Sequence, residues 1–98
     1  MLNLKNIVMV TIADVKEIIK SEGLGNSHLE HLLNKLSDSK LLKMHMAEEM
    51  GLDYIDIAML VVKIEDKFSF HLSKEANGEL INTSNMSVKK FLQIINGK

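Results

Sequence analysis

Ile12, Val15, Ile18 and Ile19 recur at the three- and four-residue spacing of a single helix face. Thr11-Ile12-Ala13-Asp14 ahead of them has the form of a capping box, with Asp14 in the position usually held by Glu. Gly23 and Gly25 supply the stop. Upstream, the run Ile7-Val8-Met9-Val10 is largely β-branched and reads as a helix extension or an irregular arm. Met9 would also serve as a start codon, which would make the first eight residues dispensable; residues 1–10 as a whole are read as a possible N-terminal extension. A second stripe, Leu29, Leu32, Leu33 and Leu36, follows Ser27-His28-Leu29-Glu30, a capping box by spacing. This predicts a short helix from His28 to Leu36, broken by Ser37-Asp38-Ser39. Periodicity is weaker from Lys40 to Met50, where Leu41, Leu42, Met46 and Met50 are the candidates for burial and Gly51 the stop.

The most regular pattern begins at Asp53. This residue caps a helix that runs to about Phe68, and Asp56 adds negative charge to the first turn, which the helix dipole favours. Ile57, Leu60, Val61, Ile64 and Phe68 form its apolar face, and Lys63, Glu65, Asp66 and Lys67 its solvated one. A looser stretch follows from Ser69 to Met86, with one turn expected around Lys74 to Asn77. Ser87 then caps a last helix, Val88 to Ile95, with Val88, Phe91, Leu92 and Ile95 facing inward. Asn77-Gly78 and Asn96-Gly97 lack the alternating flanks of a hairpin, so no strand pairing is expected. The expected fold is all-α, a bundle of three longer helices plus one to three short ones, with residues 1–98 as one domain.

Composition narrows the function classes. Twelve basic and thirteen acidic residues leave a net charge of −1, which excludes a global basic field for nucleic acid. Cysteine is absent, which removes disulfides, thiolate metal sites and a cysteine nucleophile. No apolar run reaches the roughly 18 residues of a membrane helix, and the N-terminus lacks a cleavage signal, so the expected location is cytoplasmic.

At Met50-Gly51-Leu52-Asp53-Tyr54-Ile55-Asp56 the sequence resembles the acyl carrier protein family, which carries Leu-Gly-x-Asp-Ser-Leu at the start of its second long helix. Gly51, Asp53, Ile55 and Asp56 fall on the expected steps. Beyond Tyr54, the apolar positions Ile55, Ala58, Leu60, Val61, Ile64 and Phe68 continue the match, with Glu65-Asp66 where the family places acids. Ser87-Val88-Lys89-Lys90-Phe91 is similar to the opening of the family's last helix, and Thr11 to Gly25 to its first. The resemblance implies an acyl-carrier-like four-helix bundle in a fatty-acid or polyketide context. Ser27 to Met50 and Ser69 to Met86 are longer than is usual in the family, and the near-neutral charge departs from its acidity. The decisive departure is Tyr54, which stands where the family's serine takes 4′-phosphopantetheine.

Tyrosine puts its oxygen at the far end of a ring, several bonds from the place of a serine hydroxyl, and errors of position are costly in group transfer. An aryl phosphodiester is also less durable, because a phenol of pKa about 10 leaves more readily. The expectation is therefore that Tyr54 is unmodified, that no cofactor is carried, and that the protein is not an enzyme. Asp38-Ser39 is the chain's one Asp-Ser pair, but Lys40, Lys43 and His45 fall where the family's pattern needs apolar residues. His28 and His31 share the spacing of a metal pair without a third ligand in register, so no metal is expected. Two readings of Tyr54 stay open at this point, a solvated aromatic and a contact residue.

The leading expectation is a non-enzymatic, acyl-carrier-like protein with a degenerate attachment site, acting through protein contacts. Its partner-binding residues are expected to be Tyr54, Ile55, Met59 and Val62 at the centre, with Asp53, Asp56, Glu65 and Asp66 as a rim. Expected partners are proteins, such as fatty-acid or polyketide synthesis enzymes or a second copy, and not nucleic acid or membrane. The alternatives are a carrier modified at a non-standard hydroxyl, and a helical interaction domain whose resemblance is of fold alone.

Overall fold

Each helix begins where a side-chain or backbone turn can satisfy the first free amides. The computed structural model describes residues 9–82 and 86–97, and among these it contains helices and no strand. In chain order they are α1 (Ile12–Glu22), α2 (Leu29–Lys35), α3 (Asp38–Leu42), α4 (Tyr54–Phe68), α5 (Lys74–Asn82) and α6 (Val88–Ile95). The all-α reading is correct. Ile7 and Val8, half of the apolar run before Thr11, lie outside the described residues.

The capping box at α1 is present in both directions: Asp14 donates its amide to Thr11 Oγ1, and Thr11 donates its amide to Asp14 Oδ2 at 2.9 Å. Ser87 caps α6 by accepting the Lys90 amide at 3.1 Å. The described residues before α1, 9–11, are not helical. Val10 is buried there and exchanges two hydrogen bonds with the Asn96 side chain, at 2.8 and 3.0 Å, which ties the start of the described chain to the end of α6.

Four expectations need correction. Ser27 does not cap α2; His28 is the N-cap and makes no side-chain bond, while Asn26 Oδ1 accepts the His28 amide and turns the chain into the helix. Ser37-Asp38-Ser39 does follow the end of α2 at Lys35, but it also starts a further helix, because Ser37 accepts the Lys40 amide. That helix, α3, ends at Leu42, and residues 43–53 form an irregular loop. The stretch after Ser69 holds a nine-residue helix, α5, not a single turn. Ser73 Oγ accepts the Ala76 amide at its start, and Leu80 is fully buried within it. Finally, Phe68 and Leu92 are only half-buried, and Ile94 is buried in their stead on α6.

The buried residues form one cluster that draws on every helix. The central helix is α4, which packs on α1 and on α5; α6 closes the other side against α3 and α5, and α2 lies on α1. The loop before α4 is held from within and from outside. Met46, Met50 and Leu52 are fully buried. Met46 donates to the Met86 carbonyl at 2.8 Å, and Val88 donates to the Met44 carbonyl at 2.9 Å, so the loop is tied to the start of α6 by an isolated antiparallel bridge.

Candidate functional site

The first turn of α4 is set by Asp53, whose carboxylate accepts the Asp56 amide at 2.8 Å. Asp56 returns the bond by accepting the Asp53 amide at 3.2 Å, a full capping box that the spacing had shown only in half. Tyr54 is therefore the first residue of the helix proper. Behind this turn two loops nest. Gly51 has φ +72°, and a Cβ there would come within 2.6 Å of the Asn26 side chain. Gly25 has φ +80°, and a Cβ there would collide with Leu29 and approach the Met50 carbonyl to 3.1 Å. Both positions need the left-handed conformation and the missing side chain at once. The motif glycine at 51 thus lets the α1–α2 loop rest against the base of α4.

Four large apolar side chains on α4 face solvent: Tyr54 at 61% exposure, Ile55 at 60%, Met59 at 40% and Val62 at 52%. Ile55, Met59 and Val62 follow four- and three-residue steps and form one stripe directly opposite the buried Ile57, Leu60, Val61 and Ile64. Tyr54 lies at the side of that stripe. Asp66 continues the stripe by a further four residues and is exposed. A contiguous apolar stripe left on a surface helix is the kind of feature that marks a contact site.

The acids do not all form a rim. Asp53 is exposed, but both it and Asp56 have capping bonds to keep. Glu65 is half-buried, and its Oε2 accepts the Leu72 amide at 2.8 Å, while its carbonyl accepts the amides of Ser69 and Phe70. It organises the exit from α4, with Ser69 held in the left-handed region at φ 56°.

On the flank toward α1, lysines of α4 meet acids. Lys63 lies 3.7 Å from Glu22, and Lys67 bonds Glu17 and stands 3.6 Å from Asp14. The Glu17 hydrogen bond raises the Lys67 pKa above the ordinary lysine value, against a smaller opposing effect of desolvation. These pairs lie at the surface, partly exposed, and contribute little to stability individually, but they leave the α4 surface with neither a strong acidic nor a strong basic field.

The other candidates are dispersed. Ser39 is exposed in α3, with its hydroxyl 3.4 Å from that of Ser37. His28 and His31 are exposed, one before α2 and one within it, and no group of three or more metal-ligating side chains occurs among the described residues. A depression of 360 Å³ opens beside the nested loops, lined by Ile19, Lys20, Leu24, Asn26 and Glu30 among others. No polar or charged side chain is buried among the described residues, so no enclosed polar group points into it. No described helix is long and apolar enough to cross a membrane.

No protein-family model, curated protein or solved structure matches the chain significantly.

Proposed function

We propose that this protein is a non-enzymatic, acyl-carrier-like protein with a degenerate prosthetic-group site, and that it works through contacts made by the exposed face of α4. The observation that carries the reading is Tyr54. It occupies the first position of a capped helix, behind Gly51 and Asp53, and it is largely exposed beside a solvent-facing apolar stripe. Residue 54 does not fit the phosphopantetheine arm: its oxygen is displaced by the length of the ring from the backbone that the family's serine would present it on, so no chemistry is routed through that group.

The same surface suggests how contact is made. Aromatic, Ile and Met anchors contribute energy when a partner's pocket desolvates them, whereas rim charges contribute little. The acids that would steer a basic partner are partly committed, to capping at Asp56 and to the exit of α4 at Glu65. With a net charge of −1 the long-range field is weak as well. Association through this face should weaken only modestly as salt rises, and sharply in Met59→Asp. A fatty-acid or polyketide setting follows from the resemblance alone, and a cytoplasmic location from the sequence reading; both belong to the proposal.

Intact mass tests the reading. Co-expressed with a phosphopantetheinyl transferase, the chain should keep its unmodified mass. An added arm on Ser39 or any other hydroxyl would replace the degenerate-site reading with that of a working carrier.

A further inference from the structure

We infer that the exposed face of α4 takes a second copy of this chain, with the two helices antiparallel about a two-fold axis that passes beside Met59. The inference rests on the reading of α4 as the contact surface and names its occupant.

The argument is one of self-complementarity. A two-fold contact must match a surface to itself, so each residue must find an acceptable mate on the same patch. Ile55, Met59 and Val62 have the four–three spacing of a packing seam, and all are exposed. Antiparallel overlap centred on Met59 sets Ile55 against the partner's Val62 and Met59 against the partner's Met59. All three mates are apolar. Met suits the axis, because its flexible thioether fills an irregular gap.

The charges on the flank obey the same register. Asp56 and Lys63 are seven residues apart on one side of the stripe, and an antiparallel two-fold keeps like flanks together. The overlap that pairs Ile55 with the partner's Val62 therefore brings Asp56 to the partner's Lys63, twice by symmetry. Neither group is exhausted by its present bonds: Asp56 uses Oδ2 for the Asp53 amide, and Lys63 has a single long contact to Glu22, at 3.7 Å. Asp66 falls beyond the apolar overlap and takes no part in it. A parallel two-fold would instead bring unlike flanks together, setting Asp56 against the side of the partner's helix that carries Ala58, and both Asp56–Lys63 contacts would be lost. One helix face on each side is a small interface, below the roughly 1,200 Å² at which association becomes strong. The dimer should be weak and concentration-dependent.

The chain has no cysteine, which gives a clean background for crosslinking. Disulfides need Cα atoms within about 7 Å, and seven residues of helix span about 10 Å. Under mild oxidation Met59→Cys should link to itself. Ile55→Cys and Val62→Cys should link to each other when mixed, at least tenfold faster than either links alone. Glu30→Cys, exposed on α2, sets the background rate. Sedimentation of the wild type should show a dimer fraction that grows with concentration and vanishes in Met59→Asp, with the variants checked for helical content. Self-linkage of Ile55→Cys at the mixed rate overturns the antiparallel register. A wild type that stays monomeric at all concentrations, with Met59→Cys at the background rate, overturns the dimer. That outcome leaves the α4 face to a different protein and does not touch the unmodified-mass test, so failure of the dimer and failure of the carrier-like reading are distinguishable.

Discussion

Leu60→Ala and Met59→Ala alter adjacent residues, of which the phase of α4 sends one into the core and the other toward solvent. Leu60 is fully buried in the core, while Met59 is 40% exposed. Truncating Leu60 removes buried hydrocarbon worth about 2–2.5 kcal/mol at about 0.8 kcal/mol per carbon group. The neighbours on α1 and α5 are themselves packed, so the site collapses only in part, and the residual cavity brings the expected loss to about 3–4 kcal/mol. For a domain of this size that lowers Tm by roughly 12–30 °C. Met59→Ala gives up only partial contact and replaces Met with the best helix former, so it should cost less than about 1 kcal/mol. Urea unfolding, at a protein concentration low enough to keep the chain monomeric, measures both, and an unchanged m-value confirms that the comparison is of stability. Equal losses, or the larger loss at Met59, would show that the helix is rotated from the phase described. The apolar stripe, and everything built on it, would then fall.

Three further outcomes follow from the local geometry. Gly25→Ala should destabilise by about 2 kcal/mol or more, because it combines a left-handed φ with a collision against Leu29; a loss under about 0.5 kcal/mol in thermal unfolding would mean that the loops do not nest as described. Ser69→Gly should stabilise by about 0.5–1 kcal/mol, since it relieves the left-handed strain at the end of α4, and a loss of stability would place a needed role on the serine side chain. The folded chain holds the Lys67 proton more tightly than the unfolded chain does. The contribution of the Glu17 pair is therefore complete below pH 10.5 and is lost as pH rises through the higher folded value. Lys67→Met should flatten that alkaline limb of the stability profile, and an unaltered limb would refute the assignment to Lys67.

What was legible in the sequence was local. Thr11, Asp53 and Ser87 cap helices through side chains that reach amides three residues on, so spacing alone reveals them. The buried phase of α4 is read equally well, because a 15-residue helix repeats its pattern four times. The misses have non-local causes. Gly78 and the asparagines at 77 and 82 lower the helix propensity of α5, and the burial of Leu80 against the core outweighs them. Asn26, not Ser27, turns the chain into α2 by accepting the His28 amide, and its side chain also lies close to Gly51, a contact between loops distant in sequence. The loop at residues 43–53 is tied to Met86 and Val88, which no periodicity encodes. Periodicity likewise gives the side of a helix but not the depth beneath it, which is why Phe68, at the end of its stripe, and Leu92, at the lateral edge of its own, are half-buried. At the site, Tyr54, Ile55, Met59 and Val62 stood out as apolar residues off the buried face, whereas the capping and exit roles of Asp56 and Glu65 needed coordinates.

The proposed function holds that α4 begins as a carrier protein's recognition helix does, with the acceptor residue lost. Tyr54→Ser tests it most directly: the variant and the wild type are each co-expressed with a phosphopantetheinyl transferase, and their intact masses are compared. The account predicts addition of one phosphopantetheine to the variant, mapping to residue 54, and none to the wild type. A variant that folds as the wild type does yet stays unmodified, or a wild type that gains the same mass, would contradict it.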